Sequence, residues 1–273
     1  MRARIARDRR RRTGRIVMGK RDVKLLLALN RFRIARTSDL ASVCFRGVRR
    51  DTAAARLRKL YDAHVLEVRA GAPNQESWYL VGPAGRRALE DRGTPVGRVP
   101  RGGLDHHLAI VWTWATVATA PSGPRLIRAL PDWELREGGT SSDWGIVPDL
   151  LLVLGGEGVT RVVAVEVDLG TERLAEVESK VRRYGTLGEA LGCGELDLLF
   201  LTRSAERAVR IRTILGQGFA GRSATCDSMD DLPSALLQLL APPPLAASPC
   251  SKGREAGTTR SPASENEAVD ATP

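Results

Sequence analysis

The sequence predicts a two-part α/β chain: a small helical unit closed by a β-hairpin, then a larger unit in which strands and helices interleave. Three observations carry this expectation. Charge is unevenly divided, with 26 basic and 9 acidic residues in 1–103 but 16 and 23 in 104–273. Apolar spacing up to residue 91 runs helix, helix, helix, strand, strand, helix; from 104 to 226 it runs helix, strand, strand, strand, helix, strand, helix, strand. Between them, Arg92–Gly103 holds Gly93, Pro95, Gly97, Pro100, Gly102 and Gly103, the composition of a linker. With 273 residues, each part is long enough to bury a core.

Residues 1–20 form a basic arm centred on Arg9, Arg10, Arg11 and Arg12, expected to be disordered alone because like charges repel and apolar residues are few. It reads either as an arm that follows phosphates or as a solvated tail. Residues 21–91 then form the first domain. Arg21–Phe32 is a helix with Val23, Leu26, Leu27 and Leu29 on its apolar face. Thr37 and Ser38 have the hydroxyls of a helix start, opening a short helix over Ser38–Val43. Arg50–Ala63 is a third helix, with Ala54, Leu57, Leu60 and Tyr61 inward. Arg49, Arg50, Arg56, Arg58 and Lys59 are left for the outside, as candidate DNA contacts. Val65–Arg69 and Ser77–Leu80 read as a hairpin around Gly71–Asn74, and Ala84–Asp91 as a closing helix. This is the order of a winged helix-turn-helix, whose third helix enters the major groove. Lys and Arg release counterions from a phosphate backbone, so double-stranded DNA is the expected partner of the basic half.

In the second domain, 104–240, an apolar helix opens at Asp105 or His106 and runs to Thr119, with Leu108, Val111, Trp112 and Ala115 on one face. His106 and His107 diverge by about 100° around a helix, so they cannot readily share one ion. Leu126–Leu130 is a strand leading to Trp133 and Glu134; Arg136–Trp144 is polar and mobile by composition. Val147–Leu154 and Arg161–Asp168 form a hairpin about Gly155, Gly156, Glu157 and Gly158. Side chains alternate along a strand, so Glu166 and Asp168 share a face, and the short turn brings Asp149 near both. Three carboxylates converging at a strand end suit a hard divalent cation, Mg²⁺ or Mn²⁺. Glu172–Leu191 is a long helix on which Lys180 and Tyr184, four apart, share a face. Leu196–Thr202 is a buried apolar strand, Ser204–Leu215 a helix, Gly221–Cys226 a strand and Leu232–Leu240 a last helix. Residues 241–273, rich in Pro, Ala, Ser and Thr, are expected to be a disordered tail.

Cys44, Cys193, Cys226 and Cys250 are scattered with no CxxC pair, which argues against a zinc site or disulfide framework. No apolar run approaches bilayer length, and a soluble cytoplasmic protein is expected.

Pro148-Asp149, then Glu166-Val167-Asp168 with Leu169-Gly170-Thr171-Glu172, then Lys180 with Tyr184, resemble the PD…ExK nuclease-like superfamily. With the N-terminal half included, roughly residues 20–220 resemble the replication-relaxation family of plasmid and mobile-element proteins. The resemblance implies a winged helix followed by a restriction-endonuclease-like α/β domain. It implies metal ligation by Asp149, Glu166 and Asp168, and a histidine at the start of the first helix of that domain, near the carboxylates. One departure matters: Asp168 stands where an active nuclease of this type has lysine. Two readings follow. In one, the chain is a DNA-binding protein of plasmid replication or conjugative relaxation that recruits or regulates replication or conjugation proteins, and its nuclease fold is degenerate. In the other, it is a metal-dependent DNA endonuclease using Asp149, Glu166, Asp168 and Lys180, the lysine borrowed from the following helix. A local transcriptional regulator is a third reading.

Overall fold

The computed structural model describes residues 16–71, 76–98, 103–121, 125–137, 144–156, 159–192, 196–228 and 231–240. The arm before residue 16, the tail from 241, most of the Arg136–Trp144 stretch, the turn residues 157–158, Cys193 and Cys250 lie outside these. The elements are α1 (Lys20–Phe32), β1 (Ala35–Arg36), α2 (Thr37–Cys44), α3 (Arg50–Asp62), β2 (Leu66–Arg69), β3 (Trp78–Val81) and α4 (Pro83–Glu90). They continue as α5 (Leu104–Thr119), β4 (Arg125–Pro131), α6 (Asp132–Glu137), β5 (Leu150–Gly156), β6 (Val159–Asp168) and α7 (Leu174–Ala190). The last are β7 (Leu196–Thr202), α8 (Ala205–Gly218), β8 (Ser223–Cys226) and α9 (Leu232–Leu240).

The N-terminal elements surround a three-stranded antiparallel sheet of order β1-β3-β2. The two-residue β1 was not legible in the sequence. It pairs Ala35 with Tyr79 and so ties the turn between α1 and α2 to the hairpin. Gly85 lets α4 lie against the chain before β2: a Cβ there would come within 2.3 Å of the Val65 carbonyl oxygen.

The second sheet has order β4-β5-β6-β7-β8. Strands β4, β5 and β6 are an antiparallel meander, while β7 and β8 join parallel to β6 and β7. Two faces result. Val163, Val165 and Val167 of β6 join the core that includes α5 and α9, whereas Ala164 packs with Val177, Val181, Tyr184 and Leu187 of α7 and with Ile211 and Leu215 of α8. The expected glycine turn is shorter than the sequence suggests. Gly155 and Gly156 are paired to Thr160 and Val159. β7 is buried throughout but not wholly apolar: Asp197 pairs with Arg161 at 3.0 Å.

The segment expected to be a free linker is held in place. Asn30 donates to the Pro95 carbonyl at 2.9 Å and accepts from the Gly97 amide at 3.1 Å, and Val96 packs on the core. The described residues, 16 to 240, form one compact unit. Helix α5 explains this. It is buried nearly all round, because one side packs on the second sheet and another on α2 and β1. Phe32 of α1 stacks on Trp114 of α5 at 4.3 Å between ring centroids.

One expected surface residue is half-buried and paired. Arg56 of α3 grips both carboxylate oxygens of Asp22 on α1, at 2.9 and 2.5 Å, and donates to the Val17 carbonyl. Burial alone would raise the Asp22 pKa, but the bonds from Arg56 and the Gly19 amide hold it below the ordinary value. Arg56 is therefore a packing residue between two helices. The sequence places Arg56 on the outside; it is 29% exposed, with its guanidinium paired to Asp22 as a buried carboxylate demands.

Arg56→Ala would leave Asp22 buried with one backbone donor, so a loss of about 2–4 kcal/mol is expected. Arg58→Ala on the same helix should stay within about 0.5 kcal/mol. Urea denaturation of the two variants checks the contrast.

Candidate functional site

The site is built where β6 ends. Glu166 and Asp168 point to the face covered by α7 and α8, and both are almost completely buried. A buried carboxylate needs donors, and the two helices supply them. On α7, Lys180 and Tyr184 are one turn apart. Lys180 Nζ lies 2.8 Å from Glu166 Oε2, and the Tyr184 hydroxyl donates to Glu166 Oε1. Lys180 also donates to Glu172 Oε1 at 2.7 Å. On α8, Arg207 lies 2.8 Å from Asp168 Oδ2 and donates to the Glu172 carbonyl at 2.6 Å. The amide of Gly170 donates to Asp168 Oδ1 at 2.8 Å, through a turn that needs a φ of 87° and hence glycine.

Asp149 reaches the same strand end from β5. Its Oδ2 accepts from the Val167 amide at 2.8 Å, continuing the ladder past the last paired residue, Leu150. Its Oδ1 lies 3.1 Å from His106 Nε2 at the start of α5. His107 instead turns into the core, stacked on Trp133 at 4.2 Å, with Nε2 unpartnered. Burial, then the neighbouring His106 and Arg33, push its pKa down to about 4. The two histidines thus part company, as helix geometry predicts. Glu134 is engaged away from the site, at 2.8 Å from Arg31.

The electrostatics follow from crowding. Burial and the nearby Asp149 charge raise Glu166 to about 7, against the opposing pull of Lys180 and Tyr184. Burial lowers the affinity of Lys180 for its proton, but Glu166 and Glu172 outweigh this and its pKa is raised. The lysine has two carboxylate partners, whereas Glu166 has one cation and one competing anion. His106 is likewise raised, since the hydrogen bond and charge of Asp149 outweigh its burial.

Asp149 and Glu166 are thus neighbours, but Asp168 is committed to Arg207 and the Gly170 amide. Convergence of all three on one ion is corrected: among the described residues no three His, Cys, Asp or Glu side chains are grouped to hold a metal. The donor set that fits a hard divalent ion is the pair Asp149 and Glu166, and Mg²⁺ completes such a set with water and phosphate oxygens.

The family model for replication-relaxation matches residues 26–193, more than half of the chain. This chain belongs to the replication-relaxation family. The match takes in α2, α3, the first sheet and the acidic strand end, so both halves of the chain are part of what defines a family member. No curated protein matches it. Among solved structures, restriction endonuclease FokI aligns at 10% identity over 83% of this chain and 45% of its own, with a TM-score of 0.33. FokI bound to DNA aligns at 8% over 81% and 45%, with a TM-score of 0.26. The chain therefore spans less than half the length of FokI, and at these scores the likeness supports no argument about fold or function.

Of the expected DNA contacts, Arg49, Arg50, Arg58 and Lys59 are exposed. Arg50 pairs with Glu76 at 2.8 Å, and Glu76 also accepts from the Ser38 hydroxyl at 2.6 Å. The histidine expected near the carboxylates is His106, on Asp149; the sequence did not reveal Glu172 as a partner of Lys180 or Arg207 as a site residue. The excess of Arg on α8 was visible, but nothing local marked which one turns inward.

Glu166 holds its proton in the folded protein above the ordinary carboxylate range. Its stabilising contribution is full below about pH 4.5 and is lost as pH rises to about 7. Melting curves in EDTA should show Glu166→Gln gaining on the wild type across that window and running parallel to it above about pH 8. Parallel curves at every pH would mean that Glu166 titrates normally.

Proposed function

We propose that this chain is a double-stranded DNA-binding protein of replication relaxation in plasmids or mobile elements. In this reading the N-terminal half is a winged helix-turn-helix and the C-terminal half a restriction-endonuclease-like domain. The observation that carries it is the outer face of α3, where Arg49, Arg58 and Lys59 are exposed while Ala53, Leu57 and Leu60 are buried. The helix follows α2 and is flanked by a three-stranded sheet, the arrangement in which a third helix enters the major groove and a hairpin lies along the backbone. Phosphate contacts by such residues position the protein without reading sequence. DNA binding would be steeply salt-dependent, and replication or conjugation proteins are the partners that the family's process would supply.

A second reading is favoured by the strand end. Asp149, Glu166 and Lys180 together support a metal-dependent DNA endonuclease. A bound Mg²⁺ or Mn²⁺ would activate water and neutralise charge on a scissile phosphate. In that reading Asp149 and Glu166 hold the ion, Tyr184 orients Glu166, Lys180 released from Glu166 orients the water, and Asp168 acts only by orienting Arg207 and the turn at Gly170.

Two measurements test these readings. Fluorescence anisotropy with duplex DNA should show the triple variant Arg49→Ala, Arg58→Ala, Lys59→Ala binding at least about tenfold more weakly, with a salt slope reduced by about one for each phosphate-binding side chain removed. Unchanged affinity would overturn the DNA-binding face. Incubation with supercoiled plasmid and Mg²⁺ or Mn²⁺ decides the chemistry. Nicking abolished by Glu166→Gln establishes the endonuclease, and intact plasmid with DNA binding retained establishes the non-cleaving protein.

A further inference from the structure

The acidic strand end carries its own cation. Tyr184 takes one oxygen of Glu166, and the ammonium of Lys180 sits on the other. Burial is graded: the side chains of Glu166, Lys180 and Glu172 are 3%, 23% and 34% exposed. The ammonium is therefore interposed between the buried acid and the more open one. On the α5 side of the strand end, a cleft of about 440 Å³ is lined by Gly103, Leu104, Asp105, His106, Leu169 and Thr171, and it includes the histidine that pairs with Asp149.

We infer that Lys180 is an internal counter-ion that competes with divalent cations for Glu166, so that the lysine and the ion are mutually exclusive at that carboxylate. Lys180 and Tyr184 already occupy a lone pair on each Glu166 oxygen, and the ammonium repels a divalent ion brought to the same carboxylate. Entry of the ion must break two charge-assisted hydrogen bonds, to Glu166 and to Glu172. Asp168 has its own cation, Arg207 at 2.8 Å, and takes no part in this competition. The inference rests on the Asp149 and Glu166 pair of the endonuclease reading and is independent of DNA binding.

The test is calorimetric titration of the full chain with MnCl₂ alone, in the absence of DNA. Lys180→Gln should bind Mn²⁺ about tenfold or more tightly than the wild type, since one competing cation is removed. The thermal shift in millimolar Mn²⁺ should rise in parallel. Adding Glu166→Gln to Lys180→Gln should abolish the gain. Equal Mn²⁺ affinity in wild type and Lys180→Gln, or a gain that survives Glu166→Gln, would overturn the inference. Should Lys180→Gln fail to fold, the same comparison between Lys180→Met, which keeps the stem, and Lys180→Arg, which keeps the charge, decides it: the neutral variant must bind the ion more tightly. Loss of DNA binding in the α3 variant leaves these titrations unaffected, so failure of one reading is told apart from failure of the other.

Discussion

A carboxylate buried on the central strand is the constraint around which the second half is organised. Glu166 lies between the antiparallel and parallel parts of the sheet, away from water. An ionised group there is costly unless it is paired and hydrogen-bonded. Lys180 and Tyr184 meet that demand from one helix because residues four apart share a face. The pairing fixes the rotation of α7 on the sheet, and Val177, Val181 and Leu187 then fill the interior below it. Asp168 makes the same demand one pleat further on. Arg207 answers it from α8 and also reaches the Glu172 carbonyl, just before α7 starts. Both helices on this face are thus keyed to the strand end by charge and held along their length by apolar packing.

The opposite face of the sheet has a different logic. Helix α5 is apolar on nearly every side, and a helix of that kind must be enclosed. The sheet covers part of it and the N-terminal half covers the rest. The consequence for function is mechanical. The basic helix α3 and the acidic strand end belong to one packed body, so DNA held by the first would be presented to the second at a fixed geometry. The ties between Arg31 and Glu134, and between the Trp133 indole and the Arg31 carbonyl, reinforce that geometry.

Charge served as a good guide to halves and a poor guide to individual residues. The basic excess before residue 103 and the acidic excess after it mark two regions with different surfaces. Yet Arg56, expected on the exterior, is held by Asp22, and Arg207 is held by Asp168. Each belongs to an arginine-rich helix, and composition along a helix cannot say which guanidinium will find a buried anion from another element. Asp168 illustrates the reverse. Its alternation with Glu166 was legible, but its ligand role depended on a partner that only the packing of α8 supplies.

Apart from β1 and α6, the sequence by itself determined the order of elements, most of their boundaries and the face shared by Glu166 and Asp168, because these follow from periodicities of 3.6 and 2 along a local stretch. It also determined that Lys180 and Tyr184 lie together. The tertiary structure alone decided that β1 pairs with the hairpin, that residues 92–98 are pinned rather than free, and that Asp149 bonds to the Val167 amide and His106. It alone decided which cation neutralises which acid. Such pairings join residues far apart in the chain, 18 positions for Asp149 with Val167 and 65 for Asn30 with Pro95. What selects them is the cost of leaving a buried charge or amide unpaired, a cost that exists only once the chain has closed around it.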